Sequence, residues 1–308
     1  MSTSIMPSSS STSSNTSFAD ALQSTVAAAV SAVERAVVRV DRRRGAGSGL
    51  AFTDELVITS SFHARDELRL GIVADDGAIL ERTATVIGRD PGTDVAVARV
   101  EGGGLRPATF RDLGGVGAGR FALAVGRPGR AIRVSLRAIG VVGPEVRTPA
   151  GGRLDAYLET DRQLPRGFAG GPLVDLDGRV LGMNTRTLIA GADLAVPTAT
   201  LTRVVDALVA HGRIARGYLG VAVYPADVPT ALASNGQGAL VASVEADGPA
   251  AKAGLLVGDL ILSLAGEPIT GPDSLRLALV EQAGATVELG LARGGEPLTV
   301  TATVGSRP

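Results

Sequence analysis

Three short stretches hold the residues whose types could do chemistry. Asp94 closes Gly88-Arg89-Asp90-Pro91-Gly92-Thr93-Asp94, a turn-rich run that opens into apolar Val95-Ala96-Val97. Phe62 and His63 follow Leu56-Val57-Ile58-Thr59, and Gly167-Phe168-Ala169-Gly170-Gly171-Pro172 forms a glycine-flanked turn. Acyl chemistry at such a place needs a hydroxyl nucleophile, an imidazole to take its proton, a carboxylate to orient the imidazole and backbone donors for the oxyanion. The chain has 2 histidines, His63 and His211, so any imidazole base is one of these, and a His-rich metal site is excluded. With 0 cysteines, disulfides, thiolate catalysis and Cys-based zinc sites are excluded too. No cofactor is expected.

The elements that position these residues follow from composition and periodicity. Hydrophobic residues make up 45% and charged residues 20% of 308, enough apolar matter for two or three modules. A net charge of −1, with Lys252 the only lysine, gives no general attraction to phosphates, and no nucleic-acid partner is expected. No run of eighteen apolar residues and no positive-then-apolar N-terminus occur, so no membrane span is expected. As it stands the sequence reads as cytoplasmic, or as periplasmic or extracellular if a leader has been removed. Residues 1–16 are Ser/Thr-rich and uncharged, the composition of a disordered tail. Ser17 and Asp20 predict a helix start, and Leu22, Val26, Val30 and Val33 recur at helical spacing, giving an N-terminal helix over 17–35.

Within a module placed at 36–215, the stretch from Ala36 to about Pro197 changes to short Val/Ile/Leu/Ala runs between Gly, Pro and Asp turns, which predicts a β-barrel or sandwich. A helix from Ala199 to His211 follows, with His211 as a solvated helix-end residue. Residues 216–308 repeat the strand habit, with helices at Ala250–Ala253 and from Pro272 or Asp273 to about Gln282, the latter capped by Asp273. Asp175-Leu176-Asp177-Gly178 predicts a hairpin turn rather than a calcium loop.

Three stretches resemble the HtrA (Deg) family of trypsin-like serine proteases, in that family's order. They are Gly47-Ser48-Gly49 with Leu56-Val57-Ile58-Thr59, then Gly88 to Val97, and finally Thr160-Asp161 with Gly170-Gly171-Pro172-Leu173-Val174-Asp175 and Gly182-Met183-Asn184-Thr185. The resemblance implies a mainly β fold with a trypsin-like double β-barrel, and makes Asp94 the triad acid. The base position, three residues beyond Thr59, is Phe62, and an apolar ring accepts no proton. The family's Asn-Ser pair at the nucleophile is Phe168-Ala169, and a methyl group attacks no carbonyl. His63 would have to act through a one-residue slip, which turns a side chain on an extended segment to the opposite side. Phe62, Phe168 and Pro165-Arg166 depart from the pattern together, which speaks against a single engineered Ser-to-Ala change. Gly167 and the following glycine pair would keep a remnant oxyanion loop, and Asp94 is expected to bond to nearby backbone groups.

Downstream, Arg216 to Val221 resembles the junction of these proteases with a small α/β PDZ domain. Gly248-Pro249-Ala250-Ala251, Ala253-Gly254-Leu255 and Val257-Gly258-Asp259-Leu260-Ile261 extend the match. It implies that Tyr218-Leu219-Gly220-Val221 is a carboxylate-binding loop, whose successive backbone N–H groups cradle a peptide C-terminus. Leu275 and Leu279 either face that groove from the following helix or belong to the core. The expected partners are polypeptides or protein C-termini. The expected function is a pseudoprotease with a chaperone-like or adaptor role; the alternatives are an active endopeptidase with a non-standard site, or a structural subunit beside an active homologue. The resemblance further implies a homo-oligomer, a trimer in the family's usual form, with Phe18 and its helix at the contact.

Overall fold

A computed structural model describes residues 17–41, 45–280 and 282–307, without the side chain of His63. The tail at 1–16 lies outside the described residues. Helix α1 (Phe18–Val33) starts where Ser17 accepts from the Asp20 amide at 3.1 Å, and it buries Ala29 and Val33. A one-turn 3-10 helix at Glu34–Ala36 leads into the first barrel.

That barrel is closed and antiparallel. Its strands are β1 (Val37–Asp41), β2 (Ala46–Ala51), β3 (Leu56–Ser60), β4 (Glu67–Val73), β5 (Ile79–Asp90) and β6 (Val95–Val100), in the order β1-β2-β3-β6-β5-β4. Every residue of β3 is buried, because barrel interior and the packed neighbouring sheet take its two faces. The second sheet uses β7 (Phe121–Gly126), β8 (Arg133–Gly143), β11 (Tyr157–Thr160), β12 (Pro172–Val174), β13 (Val180–Asn184) and β14 (Ala195–Pro197); β9 (Val146–Arg147) and β10 (Arg153–Leu154) form a separate hairpin. Its order is β11-β8-β7-β12-β13-β14, and a bridge from Glu159 to Leu194 draws the two outer strands together. The turn at Asp175–Gly178 is a hairpin connection: the Asp175 side chain accepts from the Asp177 and Arg179 amides at 3.0 and 2.8 Å.

Helix α2 (Thr198–His211) packs Leu201, Val204, Val205 and Leu208 onto the barrels and ends at left-handed Gly212; His211 is exposed. Beyond it, β15 (Arg216–Tyr218) pairs with β22 (Gly305–Arg307). A five-strand path runs β16 (Val221–Asp227), β17 (Gln237–Val244), β18 (Leu260–Leu264), β20 (Thr286–Arg293), β21 (Glu296–Thr303), with short β19 (Glu267–Pro268) on β18. Helices α3 (Pro249–Lys252) and α4 (Pro272–Leu279) close it. The cap of α4 differs from expectation: Ser274 Oγ accepts from the Thr270 and Gly271 amides at 2.8 and 3.0 Å, while Asp273 faces Arg276. Asp273 is the second residue of α4, behind the N-cap Gly271, and its carboxylate accepts from Arg276, so the reach back to the N-cap amides falls to the third residue, Ser274. The fold is therefore mainly β, a trypsin-like double barrel followed by a small α/β module with its own apolar core.

Candidate functional sites

The separated sequence motifs meet at one buried carboxylate. Asp94, 1% exposed, takes a left-handed φ of 57° at the turn between β5 and β6. Its side chain accepts from Ser60 Oγ at 2.8 Å, Ser61 Oγ at 3.1 Å, the Phe62 amide at 3.2 Å and Thr185 Oγ1 at 2.6 Å. The first motif supplies Ser60, Ser61 and Phe62, and the third supplies Thr185. The expectation that Asp94 bonds to backbone groups is corrected: hydroxyls dominate, because β3 ends and β13 runs out beside it, and one amide contributes. Phe62 itself is 71% exposed, on the one-turn helix Ser61–His63. His63 lies outside the described side chains.

The nucleophile loop keeps a defined turn. The Phe168 amide donates to the Pro165 carbonyl at 3.2 Å, and Gly167 between them has φ +86°, the conformation for which glycine is suited. Gly170 (φ +88°) and Gly171 press the loop against Ser48 and Val125 so closely that a side chain at either would overlap backbone. Ser48 ties the wall together: its Oγ donates to the Gly167 carbonyl and accepts from the Arg127 amide, both at 2.7 Å. Among the described residues, no group accepts from the amides of Gly167 and Ala169, the pair that would face an oxyanion. Phe168 is buried in the second barrel's core, with Ala169 packed beside it.

Two buried arginines that sequence reasoning missed hold this region. Arg137 donates to the carbonyls of Arg162 and Gln163 at 2.6 and 3.0 Å, fixing the chain just ahead of the loop. Arg127 donates to the carbonyls of Val37, Arg130 and Glu34. Burial lowers the pKa of both guanidiniums. An arginine among short apolar runs is the only signal either leaves in the sequence.

The second candidate site is Tyr218-Leu219-Gly220-Val221. The carbonyls of Leu219 and Gly220 turn inward to the Ala250 and Glu245 amides at 2.8 Å each. Among the described residues the amides of Leu219 and Gly220 donate to nothing. Gly220 has φ +80°, and a Cβ there would lie 2.9 Å from the Tyr218 hydroxyl and 3.2 Å from Glu245 Oε2. Arg307 spans this corner, 3.6 Å above the Tyr218 ring and 2.9 Å from the Glu245 carboxylate. Leu275 and Leu279 are 3% and 7% exposed and pack into the module's core, so they underlie the space between α4 and β16 rather than line it openly. Polar ties among the described residues join this module to the barrels: Arg216 to Asp90 at 2.7 Å and to the Ala150 carbonyl at 3.1 Å, Arg276 to the Pro149 carbonyl and Arg147 to the Leu277 carbonyl.

The architecture defines a trypsin-like peptidase fold joined to a small α/β module. Comparison with known proteins agrees: residues 47–183 match the trypsin-like peptidase domain and residues 217–304 the PDZ domain. Proteins named "Probable periplasmic serine endoprotease DegP-like" from Rhizobium meliloti (strain 1021) and Pseudomonas putida (strain W619) are 33% and 32% identical over 87% and 88% of the chain. The chain spans about half the length of these relatives, 54% and 58%. The solved HtrA-type protease AlgW with decapeptide superposes with a TM-score of 0.69 at 26% identity, covering 92% of this chain and 99% of that one. The serine endoprotease from Yersinia pestis gives 0.69 at 28%, covering 92% and 98%. The chain belongs to the HtrA/DegP family of trypsin-like protease homologues with a C-terminal PDZ domain. The relatives' names place those proteins in the periplasm and so lend nothing to the cytoplasmic expectation. No helix among the described residues is long and apolar enough to cross a membrane.

Proposed function

We propose that this chain is a proteolytically silent HtrA homologue that binds polypeptides, with residues 36–215 as scaffold and residues 216–308 as the peptide-capturing domain. The observation that supports it most is the state of Asp94. The carboxylate that would orient an imidazole is engaged by three hydroxyls and an amide. A phenylalanine occupies the base position and an alanine the nucleophile position. The loop Tyr218 to Val221 presents free amides to a terminal carboxylate, and AlgW, solved with a decapeptide, shows a related fold beside a peptide. Captured polypeptides would make the protein a chaperone or adaptor, in the periplasm like its named relatives. Phe18, 84% exposed on α1, offers an apolar contact for a homo-oligomer.

A second reading, an active endopeptidase, is favoured by the relatives, which are named serine endoproteases. Casein cleavage and fluorophosphonate labelling decide between the two. The natural protein is expected to show neither. The Phe62→His/Ala169→Ser variant, and the same pair with Phe168→Asn, are expected to label and to turn over. The pair that keeps Phe168 guards against unfolding, since Phe168 is core. Cleavage or labelling of the natural protein would overturn the silent reading in favour of the second.

A further inference from the structure

The free edge of β16 carries information about how long a peptide the domain can read. Strand β16 is the outermost strand of its sheet, with only β17 beside it. Which of its backbone groups face outward follows from the neighbouring bonds. Val241 on β17 donates to the Asp259 carbonyl at 2.8 Å and accepts from the Gly258 amide at 2.9 Å, so both its groups point away from β16. Its partner across the ladder is Val223, whose own amide and carbonyl therefore face the open edge. At either end, the Gly220 carbonyl and the Val228 amide bond inward, to the Glu245 amide and the Gly236 carbonyl. The inward set is thus the even-numbered residues, and the outward set is Val221, Val223, Pro225 and Asp227.

Pro225 has no amide proton. The open edge therefore offers a donor at Val221 and at Val223, none at the next outward position, and the following one only at Asp227, about 13 Å beyond Val223 along the strand. The same residue also narrows the space. Val221 and Val223 pack their side chains toward the core and α4, and Pro225 shares their face. A Cβ at Gly271, the residue before α4, would lie 3.8 Å from Pro225 Cβ, so strand and helix start converge there.

We propose that Pro225 ends the recognition ladder, so that this domain reads the last four residues of a polypeptide C-terminus and gains little from residues further upstream. The proposal rests on the peptide-binding reading of the loop Tyr218 to Val221. A peptide running antiparallel to β16 places its terminal carboxylate on the loop amides and its antepenultimate residue opposite Val223, with two main-chain bonds. Its fifth residue from the end can donate to the Pro225 carbonyl but finds no donor for its own carbonyl. Proline at this position also blunts the edge against indiscriminate strand pairing.

The test uses the full chain, labelled with nitrogen-15, and acetylated Ala/Ser peptides of four, six and eight residues ending in Val-Leu with a free carboxylate. An amidated eight-residue copy is the control. The Kd from amide shift titration is expected to differ less than about twofold between four and eight residues, with shifts at Val223 and none at Asp227. In Pro225→Ala the ratio of four-residue to eight-residue Kd is expected to rise about threefold or more. A natural protein whose affinity climbs fivefold or more from four to eight residues, or a Pro225→Ala ratio like the natural one, would overturn the length limit while leaving peptide capture intact. Failure of every free-carboxylate peptide to bind would overturn both together.

Discussion

The turn at Pro165–Gly171 and the loop Tyr218–Val221 are built alike and depend on different chemistry. Each holds a left-handed glycine, Gly167 or Gly220, and each leaves backbone amides without a partner among the described residues. The first belongs to a site that needs side chains as well: a hydroxyl where Ala169 stands and an imidazole where Phe62 stands. The second needs only its backbone and a free strand edge. Sites that work through main-chain donors tolerate side-chain change, provided glycine conformations and inward carbonyls persist. Sites that work through a nucleophile and base do not survive replacement of one atom.

The comparison also predicts which loop is mechanically fixed. Gly170→Ala places a Cβ against the Ser48 carbonyl and Thr59 Oγ1, inside packed sheet, at a backbone conformation that alanine resists. Gly220→Ala meets only the ends of the Tyr218 and Glu245 side chains, which can swing away. Denaturant unfolding is expected to show a loss of about 4 kcal/mol for Gly170→Ala and about 1–2 kcal/mol for Gly220→Ala. Equal losses would break the contrast between a buried and an open loop. Asp94 comes next in size. Asp94→Ala strands the Ser60, Ser61, Thr185 and Phe62 donors and is expected to cost about 3 kcal/mol, whereas Asp94→Asn, which keeps one acceptor oxygen and suits the left-handed φ, is expected to cost about 1 kcal/mol. A silent Asp94→Ala would mean the hydroxyls repartner with water.

Much of this was legible in the sequence because turns and motifs are local. The glycine positions at 167, 170 and 220, the Asp175 hairpin and the Ser17 cap all follow from residue type. The three motifs around Asp94 were readable one by one, but which hydroxyls reach its carboxylate depends on how β3 and β13 end against each other. Strand β5 was partly hidden, since Glu81, Arg82 and Thr83 line its exposed stretch and give little apolar signal. Leu275 and Leu279 fitted groove and core equally well, because a helix face one turn wide serves both. The stop at Pro225 was invisible until the ladder direction was known, since proline marks a missing donor but not the side on which it is missed.

In the second module the counterpart of Asp94 is Asp259, 1% exposed and held by Arg293 Nε at 2.7 Å and the Leu256 amide at 2.8 Å. The Arg293 bond lowers its pKa, against burial, which would raise it, and the Leu256 amide adds to the lowering. A carboxylate with a depressed folded pKa stabilises fully above its unfolded value, and that stability drains away as pH falls through the folded value. Asp259→Asn is therefore expected to cost about 2 kcal/mol at neutral pH, and to cost progressively less below about pH 4. Thermal melts at both pH values check it. A penalty independent of pH would point to packing rather than charge.

The smallest expected effect sharpens the comparison most, because it separates stability from binding. Arg307 and Glu245 are 55% and 49% exposed, so solvent screens their attraction, and Arg307→Ala is expected to cost about 0.5 kcal/mol of stability at most. The pair sits beside Gly220, where a terminal carboxylate would arrive, and Glu245 alone would repel it. Removing Arg307 uncovers that charge, so affinity for the free-carboxylate eight-residue peptide is expected to fall about threefold. Part of the loss is expected to return at high salt, which screens the repulsion, and nearly all of it with Glu245→Gln added. Loss of affinity that neither salt nor Glu245→Gln restores would mean that Arg307 works instead by shaping the loop through the Tyr218 ring beneath it.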